Sequence, residues 1–397
     1  MIPVAEARAR IIAALAPVGR ESVDLERALG RILAAPVSAR RTQPPFAVSA
    51  MDGWAIRQAD GAGPLRVIGQ SAAGQGFAGA LGPGETVRIF TGAPVPAGAD
   101  AIAIQEEANR EGDLVTLTEA PVPGRYIRPA GLDFAEGDGL LPVGRRLTVR
   151  DIGLVAAADV PAVDVFRQPR IAVLATGDEL VPAGQPRGPA QIVDAGRPAL
   201  LAFIAAAGGL AIDLGIARDD AADIAARAER AGEADLLVTL GGASVGDHDL
   251  IARVLAEGGA SLDFWRIAMR PGKPLMFGRH GAVPLLGLPG NPVSALVCAL
   301  LFLGPAIARL AGRPDAPPPF VTVRLAAPLG ANDKREDYIR AGLRPGADGI
   351  PLAQPAPLQD SSQLRTLARA DALIQRPVLA PALPAGALVP ALLLDTI

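Results

Sequence analysis

Three segments of this chain combine glycine with acids, amides or hydroxyls. They are Thr176-Gly177-Asp178-Glu179, Gly241-Gly242-Ala243-Ser244-Val245-Gly246-Asp247-His248-Asp249, and Pro289-Gly290-Asn291-Pro292-Val293-Ser294. Each follows an apolar, β-prone run (171–175, 236–240 and 283–288) and so falls at the C-terminal end of a predicted strand. In an open parallel sheet those ends line the ligand crevice. Glycine lets backbone N–H groups approach an anion closely, and the N-terminus of a following helix favours negative charge. Acids beside such loops suit Mg²⁺, which takes one or two carboxylates together with phosphate oxygens. The set describes a site for a phosphorylated ligand. Each loop alone is also an ordinary strand-to-helix turn; three in one sheet favour the site.

Cations stand nearby in Trp265-Arg266-Ile267-Ala268-Met269-Arg270-Pro271-Gly272-Lys273-Pro274. Proline and glycine keep this segment irregular, so Arg270 and Lys273 can converge on one anion. The alternative is a solvated basic loop. Other acids and hydroxyls carry two readings as well. Asp52 sits in Asp-Gly, a common turn pair. Thr91 precedes Gly92 and could cap a turn. Asp133 lies in a glycine-containing loop. Asp219 falls between a predicted strand and a helix, where an N-cap is the competing role. Asp249 could be a first-turn helix acid. Cys298 has no histidine partner in any motif and reads as a core residue rather than a nucleophile.

Composition narrows the classes. Apolar residues make up 50% of the 397, enough for sizeable cores, and charged residues 20%, with a formal net charge of -3. No basic face is implied, and aromatics at 4% supply no base-stacking platform, so nucleic acid is not an expected partner. One cysteine rules out an internal disulfide framework, and two histidines make a histidine-built metal site improbable. The N-terminus carries charges from the start and has no apolar signal core. The most membrane-like stretch, 292–308, is short for a span and is interrupted by Gly304-Pro305, so a buried helix is expected. A soluble, cytoplasmic protein without membrane partners follows as the expectation.

The elements that must hold these residues fall in blocks. Apolar spacing over 3–16 predicts an amphipathic helix, and a second short helix is expected around 22–29, ending at Gly30. From about 50 to 140, short β-prone runs (54–56, 65–68, 86–90, 101–104, 114–117) alternate with Gly/Pro turns, as in a small β domain. From about 169, strands at 171–175, 210–216, 236–240 and 283–288 alternate with helices at 198–207, 220–231 and 249–257 and a long one after 292. That alternation predicts a parallel sheet covered on both faces. Beyond the proline-rich 312–319, runs at 320–325, 338–343, 372–375 and 387–393 predict a small C-terminal β domain.

The motifs resemble those of the molybdopterin molybdenumtransferase family, which includes the C-terminal enzyme domain of gephyrin. Ser49-Ala50-Met51-Asp52-Gly53-Trp54-Ala55 is similar to its S-x-M-D-G-[YWF]-A segment. Ile89-Phe90-Thr91-Gly92-Ala93-Pro94 through Asp100 is similar to its I-x-T-G-A segment. The three glycine loops and Arg270-Pro271-Gly272-Lys273-Pro274 complete six ordered motifs. Two departures stand out: Gly131-Leu132-Asp133 where Gly-Glu-Asp is frequent, and Asp194-Ala195-Gly196-Arg197 where Asp-Ser/Thr-Asn is frequent. Arg335 through Ala341 and Gln359-Asp360-Ser361-Ser362 resemble, less specifically, anion contacts of the family's last domain.

The resemblance implies a multidomain α/β and β protein. Its parts would be an elongated domain from 1–45 and 140–168, a β insertion at 46–139, a molybdopterin-binding α/β domain at 169–314 and a β-barrel-like domain at 315–397. It implies a homodimer whose cleft borrows the β insertion of the partner. The implied reaction joins adenylyl-molybdopterin and molybdate and releases AMP, with onward transfer to molybdoenzymes or their chaperones. Asp52, Thr91, Asp133, Asp178, Glu179 and Asp249 would act in catalysis, and Asp219 and Asp249 would hold Mg²⁺. Gly241, Gly242, Ser244, Pro289, Gly290, Asn291, Pro292 and Ser294 would bind the pterin and its phosphates, with Arg266 nearby. Arg270, Lys273, Arg335, Ser361 and Ser362 would place molybdate. Two alternatives stay open: a nucleotide pyrophosphatase on a related α/β domain, and a molybdopterin-binding scaffold without turnover.

Overall fold

The computed structural model describes residues 1–241, 260–313 and 320–394. At its centre is a six-stranded sheet in the order Leu210–Ala217, Arg170–Thr176, Leu236–Leu240, Val283–Leu288, Met276–His280, Ala260–Trp265. The first four strands are parallel, as the alternation predicts. The last two pairings are antiparallel, because Met276–His280 runs against the other five strands, so the sheet is mixed rather than wholly parallel. The cause is local. Only Gly281 (φ 56°) and Ala282 separate Met276–His280 from Val283–Leu288, and a two-residue connection forces an antiparallel hairpin.

The run Arg170–Thr176 is apolar almost throughout because both faces are covered. Ile171, Val173 and Ala175 face one core with Leu200, Phe203 and the 293–310 helix. Ala172 and Leu174 face a second core with Ile224 and Ala228 of the helix Ala221–Glu229. This is the two-residue side-chain alternation of a strand, with apolar partners on both sides. The N-terminal helix Val4–Ala14 forms as its spacing predicts, and Val4, Ala7 and Ile11 pack into the first core.

The apolar run Pro292–Leu310 is one 19-residue helix, long and apolar enough to cross a membrane, but two-thirds of it is buried inside the fold. It is a core helix. Gly304-Pro305 does not interrupt it, contrary to expectation. The turn Ala299–Leu303 widens to π geometry before Pro305, which removes one donor and needs room for its ring.

Strands on either side of the β insertion pair with each other: Arg20–Asp24 with Ala162–Phe166, and Val37–Ser38 with Gly139–Leu141. The short helix expected at 22–29 is therefore absent. Val23 is buried in this long-range pairing, and only a single turn, Leu25–Arg27, follows. An unpredicted helix, Val149–Ala157, packs on the same core and starts in a reciprocal cap of Thr148 and Asp151. The insertion itself carries a six-stranded sheet in the order 101–104, 53–56, 85–89, 65–71, 114–117, 108–111.

Five C-terminal strands close into a barrel. Glu336–Arg344 pairs with both Leu352–Pro355 and Ala372–Arg376, and Phe320–Leu325 and Leu388–Leu393 complete the ring. Met269–Arg270 of the α/β body adds to Glu336–Arg344 as a sixth, parallel strand.

Candidate active site

In the central sheet, Arg170–Thr176 leads first to its neighbour on one side, Leu210–Ala217, and then to Leu236–Leu240 on the other. The connections diverge beyond its C-terminal end, which opens a crevice there. A cleft of about 1290 Å³ occupies that position, walled on one side by the sheet loops and on the other by the barrel. It gathers Glu179, Asp219, Gly241, Arg270, Lys273, Pro289, Gly290, Asn291, Pro292, Ser294, Arg335 and Ser361. Twelve of the expected residues, scattered over more than 180 positions, thus share one surface.

Local structure explains their placement. Gly241 has φ 90°, and a Cβ there would stand 2.9 Å from the Thr176 carbonyl oxygen. Only glycine lets the ends of these two strands approach so closely. Asn291 precedes the helix beginning at Pro292, whose ring fits a first-turn position. Buried Ser294 sits in that first turn, where unpaired backbone N–H groups face the cleft. Asn291 Nδ2 donates to Ser361 Oγ at 2.9 Å, and Asn291 Oδ1 is buried without a partner.

The acids divide by role. Asp220, not Asp219, caps the helix Ala221–Glu229, accepting from the amides of Ala222 and Asp223. Asp219 is thereby left to the cleft, and its amide donates to Asp178 Oδ1 at 3.2 Å. Asp178 supports the wall without lining it. Among the described residues, the carboxylates of Glu179 and Asp219 and the ammonium of Lys273 have no hydrogen-bond or ion-pair partner. Arg270 differs: Asp337 grips its guanidinium in a two-bond fork and raises its pKa. The expected convergence of Arg270 and Lys273 on one anion is not what the geometry favours.

Several expected residues lie elsewhere. Asp52 and Thr91 meet on the insertion: Asp52 Oδ1 accepts from the Thr91 amide at 2.7 Å and from its hydroxyl at 2.8 Å. These bonds hold the exposed Asp52 carboxyl below its usual pKa, with a smaller contribution from the Arg88 charge. Neither residue, nor exposed Asp133, lines the cleft of its own chain. Arg266 stacks on Trp265, with its guanidinium carbon 5.2 Å from the ring centre, and is not on the wall. Ser362 is turned to Asp360, donating through both its hydroxyl and its amide. Gly242, Ser244 and Asp249 lie outside the described residues. Cys298 is fully buried and its thiol pKa is pushed far up, as a core residue requires.

Three residues carry structural weight that the sequence reading assigns to none of them. Asp194, buried on the cleft wall, accepts from the Arg197 amide at 3.0 Å and from its Nε at 2.9 Å. Arg340 is 1% exposed on a barrel strand. Its Nε donates to Gln359 Oε1 at 3.1 Å and its Nη1 to the Asp360 carbonyl at 2.8 Å, which holds the 359–361 loop at the cleft. Arg88 lies between the rings of Trp54 and Phe90, 5.1 Å from each centre, and bonds Gln105, whose amide donates to the Asp52 carbonyl. A basic residue in an alternating strand is the only sequence sign of the last two.

Residues 2–158 match the MoeA N-terminal region (domain I and II), 172–309 a probable molybdopterin binding domain, and 322–394 the MoeA C-terminal region (domain IV). A molybdopterin molybdenumtransferase of Nostoc sp. is 38% identical, covering 81% of this chain and 77% of its own length. One of Haemophilus influenzae is 37% identical, covering 85% and 86%. The chain belongs to the MoeA family of molybdopterin molybdenumtransferases. The fold agrees: a molybdopterin biosynthesis MoeA protein from Pyrococcus horikoshii superposes with a TM-score of 0.85 at 32% identity, covering 99% of both chains. In this MoeA-family chain the probable molybdopterin binding domain supplies the glycine-loop wall, and domain IV supplies the wall of Arg335 and Ser361.

Proposed function

We propose that the cleft binds adenylyl-molybdopterin and molybdate and yields molybdenum-bound molybdopterin and AMP. The observation that carries this reading is that one cleft joins an anion-receptive helix N-terminus with Lys273, Glu179 and Asp219, whose charged groups have no partner among the described residues. The backbone amides at Gly290 and at the start of the 292 helix suit phosphate oxygens. Lys273, Arg335 and the Ser361 hydroxyl suit a doubly charged tetrahedral oxyanion, which needs several fixed donors. Held together, the two substrates react with little ordering left to lose.

Mg²⁺ fits the acids that are present. The described residues contain no group of three metal-ligating side chains, but this cation needs only one or two carboxylates beside phosphate oxygens. Asp219, with Glu179 near it on the wall, would hold it, and it would neutralise phosphate charge as the adenylate departs. Asp249 belongs to the same proposal.

The insertion acids call for a second subunit. Asp52, Thr91 and Asp133 do not line the cleft of their own chain, so a homodimer would bring the partner's insertion to it. A cytoplasmic setting fits the substrates, and onward transfer to molybdoenzymes or their chaperones follows from the product.

The test is AMP release by purified protein given adenylyl-molybdopterin and Mg²⁺, with and without molybdate. AMP formed only with molybdate supports the transferase. Release independent of molybdate indicates a pyrophosphatase, and binding without release indicates a scaffold.

A further inference from the structure

Met269–Arg270 leaves the α/β body and pairs in parallel with the barrel strand, Met269 opposite Glu336 and Arg270 opposite Asp337. The Glu336 amide donates to the Ala268 carbonyl at 2.8 Å. Over this backbone splice the side chains close a fork. Arg270 Nε donates to Asp337 Oδ1 at 2.9 Å, and Nη2 bonds Asp337 Oδ2. Asp333 stands 3.5 Å from Nη1, and Asn332 Oδ1 stands 3.4 Å from Nη2. Asp337 is only 8% exposed, and among the described residues its carboxylate bonds this guanidinium alone.

The splice lies between the two walls of the cleft. On one side the chain turns at Gly272 and presents Lys273. On the other, the same barrel strand carries Arg340, which holds Gln359 and Asp360, and the next residue, Ser361, reaches back to Asn291 of the body. Body and barrel share an apolar core, in which Tyr338 and Leu373 pack with Met269 and the 293–310 helix, and these two polar contacts flank the cleft. A guanidinium already matched by two carboxylates has little charge to offer an oxyanion, whereas Lys273 is unmatched.

We propose that Arg270 is a positioning residue, a latch through Asp337 that fixes the barrel wall against the α/β wall, and not a ligand of the anion. This rests on the proposed function only for the kinetic half of its test.

The variants are Arg270→Lys, which keeps the charge but loses the planar fork, Asp337→Asn, which keeps the shape, and the double variant. Amide hydrogen exchange at Glu336 is followed with no substrate present. Each single variant is expected to speed it by about tenfold, the scale of one charge-assisted bond, and the double variant by no more than either single. In turnover, both singles should raise the KM for molybdate and for the pterin nucleotide together. Unchanged exchange in Asp337→Asn overturns the latch. So does Arg270→Lys raising the molybdate KM alone while Asp337→Asn is normal, because a direct ligand behaves that way. Should wild-type protein release no molybdate-dependent AMP, the functional reading fails, and the exchange measurement still decides the latch.

Discussion

Asn291 and Ser361, 70 positions apart, meet side chain to side chain at 2.9 Å and join the two walls of the cleft. The amide cannot rotate freely, because Asn291 is half-buried at the start of the core helix. Its donor therefore fixes where the Ser361 hydroxyl lies.

Replacing Ser361 by Ala removes the acceptor and the hydroxyl proposed to bind molybdate. A neutral hydrogen bond contributes about 0.5–1.5 kcal/mol, so the molybdate KM should rise by roughly two- to tenfold. Ser361→Thr keeps the hydroxyl and should recover most of the loss. Steady-state kinetics at varied molybdate checks both; equal defects in the two variants would point to steric disturbance of the loop.

Gly272 governs where Lys273 stands. It has φ 114°, and a Cβ there would come within 2.6 Å of Cys298 Sγ and 3.2 Å of Met269 Cε. Gly272→Ala should cost about 1–3 kcal/mol from backbone strain alone. Adding Cys298→Ala removes the collision but not the strain, so the double variant should regain only part of the lost stability. Urea unfolding of the three proteins measures this; full recovery would show that backbone conformation contributes nothing.

The Asp52 carboxyl titrates low because it accepts two bonds from Thr91. Its folded pKa lies below the unfolded one, so the stabilisation is present above the unfolded value. It is lost as pH falls through the folded value. Thr91→Val removes the hydroxyl donor and leaves the amide, so the pKa should move up part of the way. Carboxyl carbon NMR of Asp52 reads it directly, and an unmoved titration would assign the whole effect to the backbone bond.

Subunit complementation tests the proposal that two subunits share the site. In the proposed homodimer, Asp52→Ala and Lys273→Ala would each damage one contribution to every cleft. A mixed dimer in which the insertion of one chain serves the cleft of the other restores one intact site. Mixing the two impaired proteins under exchange conditions, at low molybdate, should recover a fraction of wild-type AMP release. No recovery, with exchange verified by labelled subunits, would place both residues in one chain's site.

Much of this arrangement was legible in the residues. The three glycine loops have short-range causes, a strand end, a turn and a helix start, and the structure brings their described parts to one wall. The misreadings have long-range causes. Residues 22–29 look helical, yet Val23 is taken into a pairing with residues 140 positions away. Antiparallel Met276–His280 is set by a hairpin turn within an otherwise alternating pattern. The bond between Arg270 and Asp337 is likewise invisible to spacing, because the two stand 67 positions apart. Arg340 escapes for the same reason: a strand arginine is normally solvated, and only barrel closure buries it.

Among the described residues the Lys273 ammonium has no partner, and the sharpest prediction concerns it. Molybdate is strongly hydrated, and one exposed ion pair contributes only roughly 0–1 kcal/mol, so no single cation suffices. Arg335 and the Ser361 hydroxyl stand on the facing wall as further donors. Gly272 and Pro274 flank Lys273 and limit the freedom of its backbone, so less ordering is left for binding. Removing its charge should then weaken the anion without disturbing the phosphate loops, which depend on backbone amides. Lys273→Ala should need more molybdate for half-maximal turnover and recover part of its rate when molybdate is raised. Its affinity for adenylyl-molybdopterin, measured by calorimetry without molybdate, should change little. Lys273→Arg should fall between the two. A variant with normal molybdate dependence but weakened pterin binding would move Lys273 to the phosphate site and leave Arg335 and Ser361 as the oxyanion donors.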